Sequence, residues 1–179
     1  MPNNTTKKTA TTAAETTVTA EEKATKPMIP KDIDPNQIII VLNGFQGKLV
    51  YESPRTHEVY RWDAFGDEQE IELRELRNAK SSAKKFFMNN WFMFREEDAW
   101  VIDYLGLNQY YKNALNMEEF DELFTKSASE IEKVISKLSA GQKKSVAYRA
   151  RQLVLEGEID SNKAIAALEK ALGIELIER

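Results

Sequence analysis

Runs of apolar residues predict a small β-structure near the middle of this chain. The β-branched run Ile38–Leu42 ends at the pair Asn43-Gly44, which is a strong turn signal. Two further runs, Leu49–Tyr51 and Val59–Trp62, follow at short spacing. We therefore predict an antiparallel β-meander over about residues 38–62. Because so few strands are marginally stable alone, helices are expected to cover its apolar face.

Downstream of Gly66 the apolar residues take a helical spacing. Leu73, Leu76 and Ala79 recur at intervals of three residues, and acidic residues precede them, where they favour the positive end of a helix dipole. A helix there would carry an acidic face, formed by Glu68, Glu72 and Glu75. The glycine-punctuated ligand spacing of a calcium loop is missing, so we interpret this face as solvated.

The most apolar stretch of the chain consists of Phe86–Met88 and Trp91–Phe94, which we predict to be buried core and partly strand. Two short helices are expected after it, over Ala99–Leu105 and Gln109–Leu115, with Gly106 between them.

The last third of the chain predicts three helices with short connections. Ser127 and Glu130 have capping-box spacing at the start of the first helix, and Ser139 with Gln142 marks the start of the second. The second is expected to stop at Gly157. The third helix is expected to begin after Ser161 as its cap and to stop at Gly173.

The first 26 residues differ from the rest in composition. Threonine and alanine dominate, and no aromatic residue occurs before Phe45. Such a segment buries too little apolar area to offset its conformational entropy, so we expect it to be disordered alone and ordered only against a neighbouring chain. Pro27, Pro30 and Pro35 then predict a stiff, extended linker.

These patterns together predict an α+β fold. The meander packs with helices in a body over residues 38–125, a C-terminal three-helix segment covers 126–179, and an extended or disordered arm with its proline linker covers 1–37.

Composition narrows the class of protein. The chain has 179 residues, a net charge of −4 and no cysteine, which excludes disulfides and thiolate chemistry. No window reaches the roughly 18 apolar residues of a membrane span. Lys7 and Lys8 precede no apolar stretch, so we expect synthesis in the cytoplasm without a signal peptide, and no membrane partner.

Candidate catalytic chemistry is sparse. His57 is the only histidine and lies among turn residues, so multi-histidine zinc sites are excluded. The loop from Gly44 to Lys48 has two residues between its glycines, where a P-loop needs four, and a strand follows instead of a helix. We therefore expect no enzyme, no cofactor and no small-molecule substrate.

A stretch without acids, from Lys137 to Gln152, is the strongest candidate for binding. It contains Lys143, Lys144, Tyr148, Arg149 and Arg151. On a helix, the side chains at positions 144, 148 and 151 would be neighbours. They could contact nucleic-acid phosphates or an acidic protein. The alternative is a solvated face, with the apolar positions 146, 150, 153 and 154 turned inward.

Aromatic residues concentrate in the middle third of the chain. Most are expected in the core, but a small meander buries only some of them. Trp62 and Phe65 are therefore candidate partner contacts, because exposed aromatic side chains anchor interfaces.

Two blocks carry a resemblance to a known class of protein. Leu42–Tyr51, followed by Tyr60–Gly66, is similar to virion-associated proteins of tailed phages that infect Gram-positive bacteria. The ending Gly157–Ser161 with Leu168–Gly173 is similar to them as well. The resemblance implies a place in the virion, in the capsid, neck, tail or baseplate, and no catalytic residue belongs to it.

We therefore expect a structural or interaction protein that docks into a larger assembly through protein partners. The alternative is a nucleic-acid-associated regulator or packaging accessory that uses the basic helix over residues 137–151.

Overall fold

Strands and helices both build the core of this protein, whose computed structural model describes residues 28–177. Within that range the strands are β1 (Ile38–Asn43), β2 (Leu49–Glu52), β3 (Val59–Trp62), β4 (Glu68–Glu72) and β5 (Phe92–Phe94). The α-helices are α1 (Leu73–Ser82), α2 (Lys85–Met88), α3 (Trp100–Tyr104), α4 (Asn108–Tyr111), α5 (Met117–Glu122), α6 (Ala128–Lys137), α7 (Ala140–Leu155) and α8 (Asn162–Leu172). Two antiparallel sheets, ordered β4-β1-β5 and β2-β3, pack with these helices, so the fold is α+β as predicted.

β1 is the central strand of the larger sheet. Its Ile39 lies opposite Ile71 of β4, and its Leu42 lies opposite Met93 of β5. Ile39 and Val41 are fully buried. A β-branched run of this kind is typical of a strand that the rest of the fold covers.

The predicted meander is wrong in its pairing, although its three strands form where expected. β1 does not pair with β2, because the chain leaves the sheet at Asn43. The buried Asn43 amide donates to the carbonyls of Gly47 at 2.8 Å and Ala64 at 2.7 Å, and its oxygen accepts from the Phe45 N–H. These bonds hold a wide loop in place of a two-residue hairpin. β2 and β3 pair with each other as a separate ribbon.

The predicted acidic helix face is also wrong, because Glu68–Glu72 forms β4 and only Glu75 lies in a helix. β4 is an edge strand, where charged side chains discourage pairing with other chains. Its Ile71 is buried against β1, and helix α1 begins after it at Leu73. Glu75 points into the core, where it accepts a 2.5 Å hydrogen bond from the Tyr51 hydroxyl.

A cluster of aromatic rings fills the first core, between the two sheets and α1–α3. Phe92 lies at its centre, with ring centroids 5.6 Å from Tyr51, 5.5 Å from Trp62 and 4.8 Å from Phe86. The prediction that the stretch around Trp91–Phe94 is buried and partly strand is confirmed at Phe92 and Met93. α3 and α4 are the two short helices expected after it, and α4 ends at Tyr111.

The second core lies among α5–α8. It begins at Leu115, ahead of the predicted segment start at residue 126, and includes Phe120 of α5. The predicted three helices are confirmed as α6, α7 and α8. Ser127 and Glu130 form the expected capping box at α6. Glycines with positive φ follow α7 (Gly157) and α8 (Gly173), where a left-handed residue ends a helix.

The start of the described chain differs from the extended linker that its prolines predict. Asp34 to Gln37 form a turn, in which the Gln37 N–H donates to the Asp34 carbonyl at 3.0 Å. Proline at the second position of such a turn already has the required φ. Ile33 packs against the first core. The predicted contact of the arm with a neighbouring chain falls on residues 1–27, which lie outside the described range.

Candidate interaction surface

The longest helix of the described range, α7, carries most of the predicted site residues. The Ser139 hydroxyl oxygen accepts from the Gln142 N–H at 3.2 Å, which confirms the predicted start. Val146 and Ala150 are fully buried against the second core. The predicted inward side of this helix is therefore confirmed at those two positions.

The opposite side of α7 is exposed along its length. Lys144, Tyr148, Arg151 and Leu155 follow each other at spacings of four, three and four residues, which places them in one row. Tyr148 is 53% exposed and Leu155 is 85% exposed. At 1.5 Å per residue the row is about 16 Å long. We call these four residues the α7 stripe.

The other two predicted cations lie beside the stripe. Lys143 and Arg149 are half-buried, and the Arg149 guanidinium lies 3.9 Å from the Glu156 carboxylate. Arg151 donates to the Glu175 carbonyl at 3.2 Å and forms no ion pair within residues 28–177. Lys144 forms no ion pair with any residue of 28–177. The structure thus brings together three of the five predicted basic-helix residues.

The two predicted aromatic contacts have internal roles. Trp62 is 1% exposed, and its indole N–H donates to the Val41 carbonyl at 3.0 Å. This burial corrects the prediction of Trp62 as a partner contact. Phe65 is half-buried, with its ring 4.6 Å from that of Phe120, so it joins the loop before β4 to the second core.

Close backbone contacts fix α7 against the body of the protein. A Cβ atom on Gly141 would lie 2.2 Å from the Asn89 carbonyl oxygen, so only glycine permits this approach. The buried Ser145 hydroxyl donates to the Gly44 carbonyl at 2.9 Å. Gln142 accepts from the Leu115 N–H and donates to the Leu115 carbonyl. The stripe is therefore presented by a firmly held helix.

Three titratable side chains outside α7 have partners within the fold. His57 is exposed in its turn with φ of 59°, as its position predicted, and its Nδ1 lies 3.6 Å from Glu52. Burial and the hydrogen bond to Glu75 raise the pKa of Tyr51 above its usual range. Burial raises the pKa of Tyr111, whose hydroxyl donates to the Phe92 carbonyl at 2.6 Å. No group of three or more carboxylates and histidines that could hold a metal occurs among the described residues.

A second surface is a groove of about 620 Å³ that residues of β1, β5, α3 and the start of α5 line. Apolar side chains from four segments line it: Leu42, Met93, Phe94, Ile102, Leu115 and Met117. Exposed carboxylates form its rim (Glu96, Glu97, Glu118 and Glu119), and the guanidinium of Arg95, which pairs with Glu68 and Glu97, lines it as well. We call it the β5 groove.

Asn90, which lines the β5 groove, has a buried side-chain oxygen without a hydrogen-bond partner in the described range. The residue is fully buried, and its amide nitrogen donates to the Tyr110 carbonyl at 3.0 Å. An unpaired buried acceptor costs about 1–3 kcal/mol. This oxygen is itself buried, so it is closed off from an occupant of the groove.

Sequence reasoning missed Leu155 and the β5 groove. The position of Leu155 continues the spacing of 144, 148 and 151, and this was the one signal that could have found it. The groove gave no such signal, because its lining comes from residues between 42 and 119 that no single periodicity connects.

Comparisons with family models, with curated proteins and with solved structures gave no match to this chain. Within residues 28–177, every helix is too short or too polar to span a lipid bilayer.

Proposed function

We propose that this protein is a non-enzymatic structural component of a larger assembly and that the α7 stripe docks it there. The observation that carries the proposal is the exposure of Tyr148 and Leu155 in one row with Lys144 and Arg151. Tyrosine and arginine are enriched among the residues that dominate interface energies. A firmly held helix presents them with little entropy to lose on binding.

The chemistry of the stripe favours an acidic protein surface as the partner. Lys144 and Arg151 supply two charges, and the apolar side chains between and beyond them need a partly apolar counterpart. A nucleic-acid groove is less suited. Two phosphate contacts would give a salt dependence with a slope of only about −2, and the chain as a whole carries a charge of −4.

The assembly that we propose is the virion of a tailed phage with a Gram-positive host, as the resemblance of Leu42–Tyr51 and Tyr60–Gly66 implies. The protein would be made in the cytoplasm of the infected cell. Its N-terminal arm would contact a neighbouring chain, since a threonine- and alanine-rich segment gains order only across an extended contact.

Purified particles test this proposal. We expect the chain to co-sediment with them through a density gradient, and quantitative mass spectrometry to find it at a fixed ratio to the major structural protein. Particles that lack the chain, while it accumulates unassembled in the same cells, would overturn the proposal.

The nucleic-acid alternative has its own measurement. In fluorescence anisotropy with a labelled DNA duplex, we expect no binding at physiological salt. Tight binding that weakens steeply with salt and is lost in Lys144→Glu/Arg151→Glu would instead support a regulator or packaging accessory.

A further inference from the structure

The rim of the β5 groove carries negative charge that is only partly compensated within residues 28–177. Glu97 lies 3.6 Å from Arg95, and Glu119 accepts from the Asn116 N–H in a capping box. Glu96 and Glu118 are exposed and form no ion pair with another residue of the described range. Two carboxylates are thus available to an occupant of the groove.

The α7 stripe has the complementary composition. Its cations Lys144 and Arg151 flank Tyr148, and Leu155 extends beyond them. The groove offers carboxylates above an apolar floor of methionine, phenylalanine and isoleucine side chains.

We propose that the α7 stripe of one copy of this protein docks into the β5 groove of a second copy. This inference rests on the proposed function of the stripe and names its partner. The lining of the groove includes no residue of α7, so one copy can use both surfaces at once. The resulting contact is head-to-tail, which builds a ring where the rotation closes and a filament where it does not.

Sedimentation velocity of the full chain gives the first test. Species larger than the monomer should grow with concentration up to about 100 µM, a range that detects even a weak micromolar contact. Higher salt should shift them back toward monomer, because the contact depends on exposed charges. A wild-type chain that stays monomeric throughout would overturn the proposal.

Two charge-reversal variants then separate the two halves of the contact. The variant Lys144→Glu/Arg151→Glu reverses the charge of the α7 stripe and leaves the β5 groove intact. The variant Glu96→Lys/Glu118→Lys reverses the charge of the groove and leaves the stripe intact. All four positions are exposed, so the fold should be retained, which circular dichroism checks. Each variant alone should self-associate at least about tenfold more weakly than wild type.

Mixing the two variants is the decisive step. The intact stripe of one variant can then meet the intact groove of the other, and the two reversed surfaces also carry opposite charges. The mixture should therefore regain the association that each variant alone has lost, beginning with a mixed heterodimer. Matched controls keep the charge changes but lie elsewhere: Lys133→Glu/Lys163→Glu and Asp32→Lys/Glu70→Lys should self-associate as wild type does. A mixture that stays monomeric, or controls that lose association equally, would overturn the head-to-tail contact.

Failure here is distinguishable from failure of the proposed function. A chain that enters particles through its α7 stripe, yet never forms the mixed heterodimer, docks onto a different protein. A chain that forms the heterodimer but is absent from particles self-associates for another purpose.

Discussion

Replacement of Gly141 by alanine is expected to lower the free energy of unfolding by about 3 kcal/mol or more. Alanine in a helix normally stabilises it by about 0.5–1 kcal/mol relative to glycine. Here the added methyl group would lie 2.2 Å from the Asn89 carbonyl oxygen and 2.5 Å from the Asn89 Cβ. Because that oxygen belongs to the backbone, relief of the overlap requires α7 to move away from the body.

Urea unfolding at neutral pH measures this effect, with Gly157→Ala as the matched control. A Cβ at Gly157 meets nothing within 4 Å, so the control should lose only the strain of its positive φ, about 1–2 kcal/mol. If Gly141→Ala were neutral or stabilising, α7 would not be packed against the 89–90 turn as described.

A second large effect is expected for Gln142→Glu, at about 3–5 kcal/mol near pH 7. Gln142 is 1% exposed, and its side chain accepts from the Leu115 N–H at 3.0 Å and donates to the Leu115 carbonyl at 2.8 Å. A carboxylate accepts but does not donate, so the carbonyl would lose its partner and face a buried charge.

The loss should depend on pH with a definite sign. Burial raises the pKa of the introduced carboxyl above about 4.3, its value in the unfolded chain. The protonated form can donate to the Leu115 carbonyl, so the loss relative to wild type should be small below about pH 4. It should increase as pH rises through the folded-state pKa and then level off.

Unfolding of both proteins at pH 4 and pH 7 checks this dependence, since the comparison with wild type at each pH cancels the other carboxyl groups. Gln109→Glu, an exposed position in α4, is the control and should show no such trend. An equal loss at both pH values would contradict the hydrogen-bond geometry assigned to Gln142.

The helical third of the fold was predictable because its signals are local. Ser127 with Glu130, and Ser139 with Gln142, are caps whose partners are three residues apart, so the sequence displays both members together. The spacing of Lys144, Tyr148 and Arg151 likewise needs only helix geometry.

The sheet was less predictable because distant contacts decide it. The Asn43 side chain bonds to Ala64, 21 residues away, and Gly44 accepts from Ser145, 101 residues away. Local turn rules predict an Asn-Gly hairpin at that position, because neither of these long-range bonds is apparent from the neighbouring residues. The acids of β4 were assigned to a helix because an edge strand tolerates them as well as a helix start does.

Incorporation of competing chains into particles tests most directly whether the α7 stripe holds this protein in its assembly. Wild type and Lys144→Glu/Arg151→Glu are expressed together in cells that produce the particle, and mass spectrometry compares their ratio in particles with that in the whole cell. We expect the variant to be depleted about tenfold or more, since reversal of two interface charges weakens docking by at least that factor. Lys133→Glu/Lys163→Glu, with the same charge change, should enter at the wild-type ratio. Equal incorporation of the α7 variant would contradict the proposed role of the stripe.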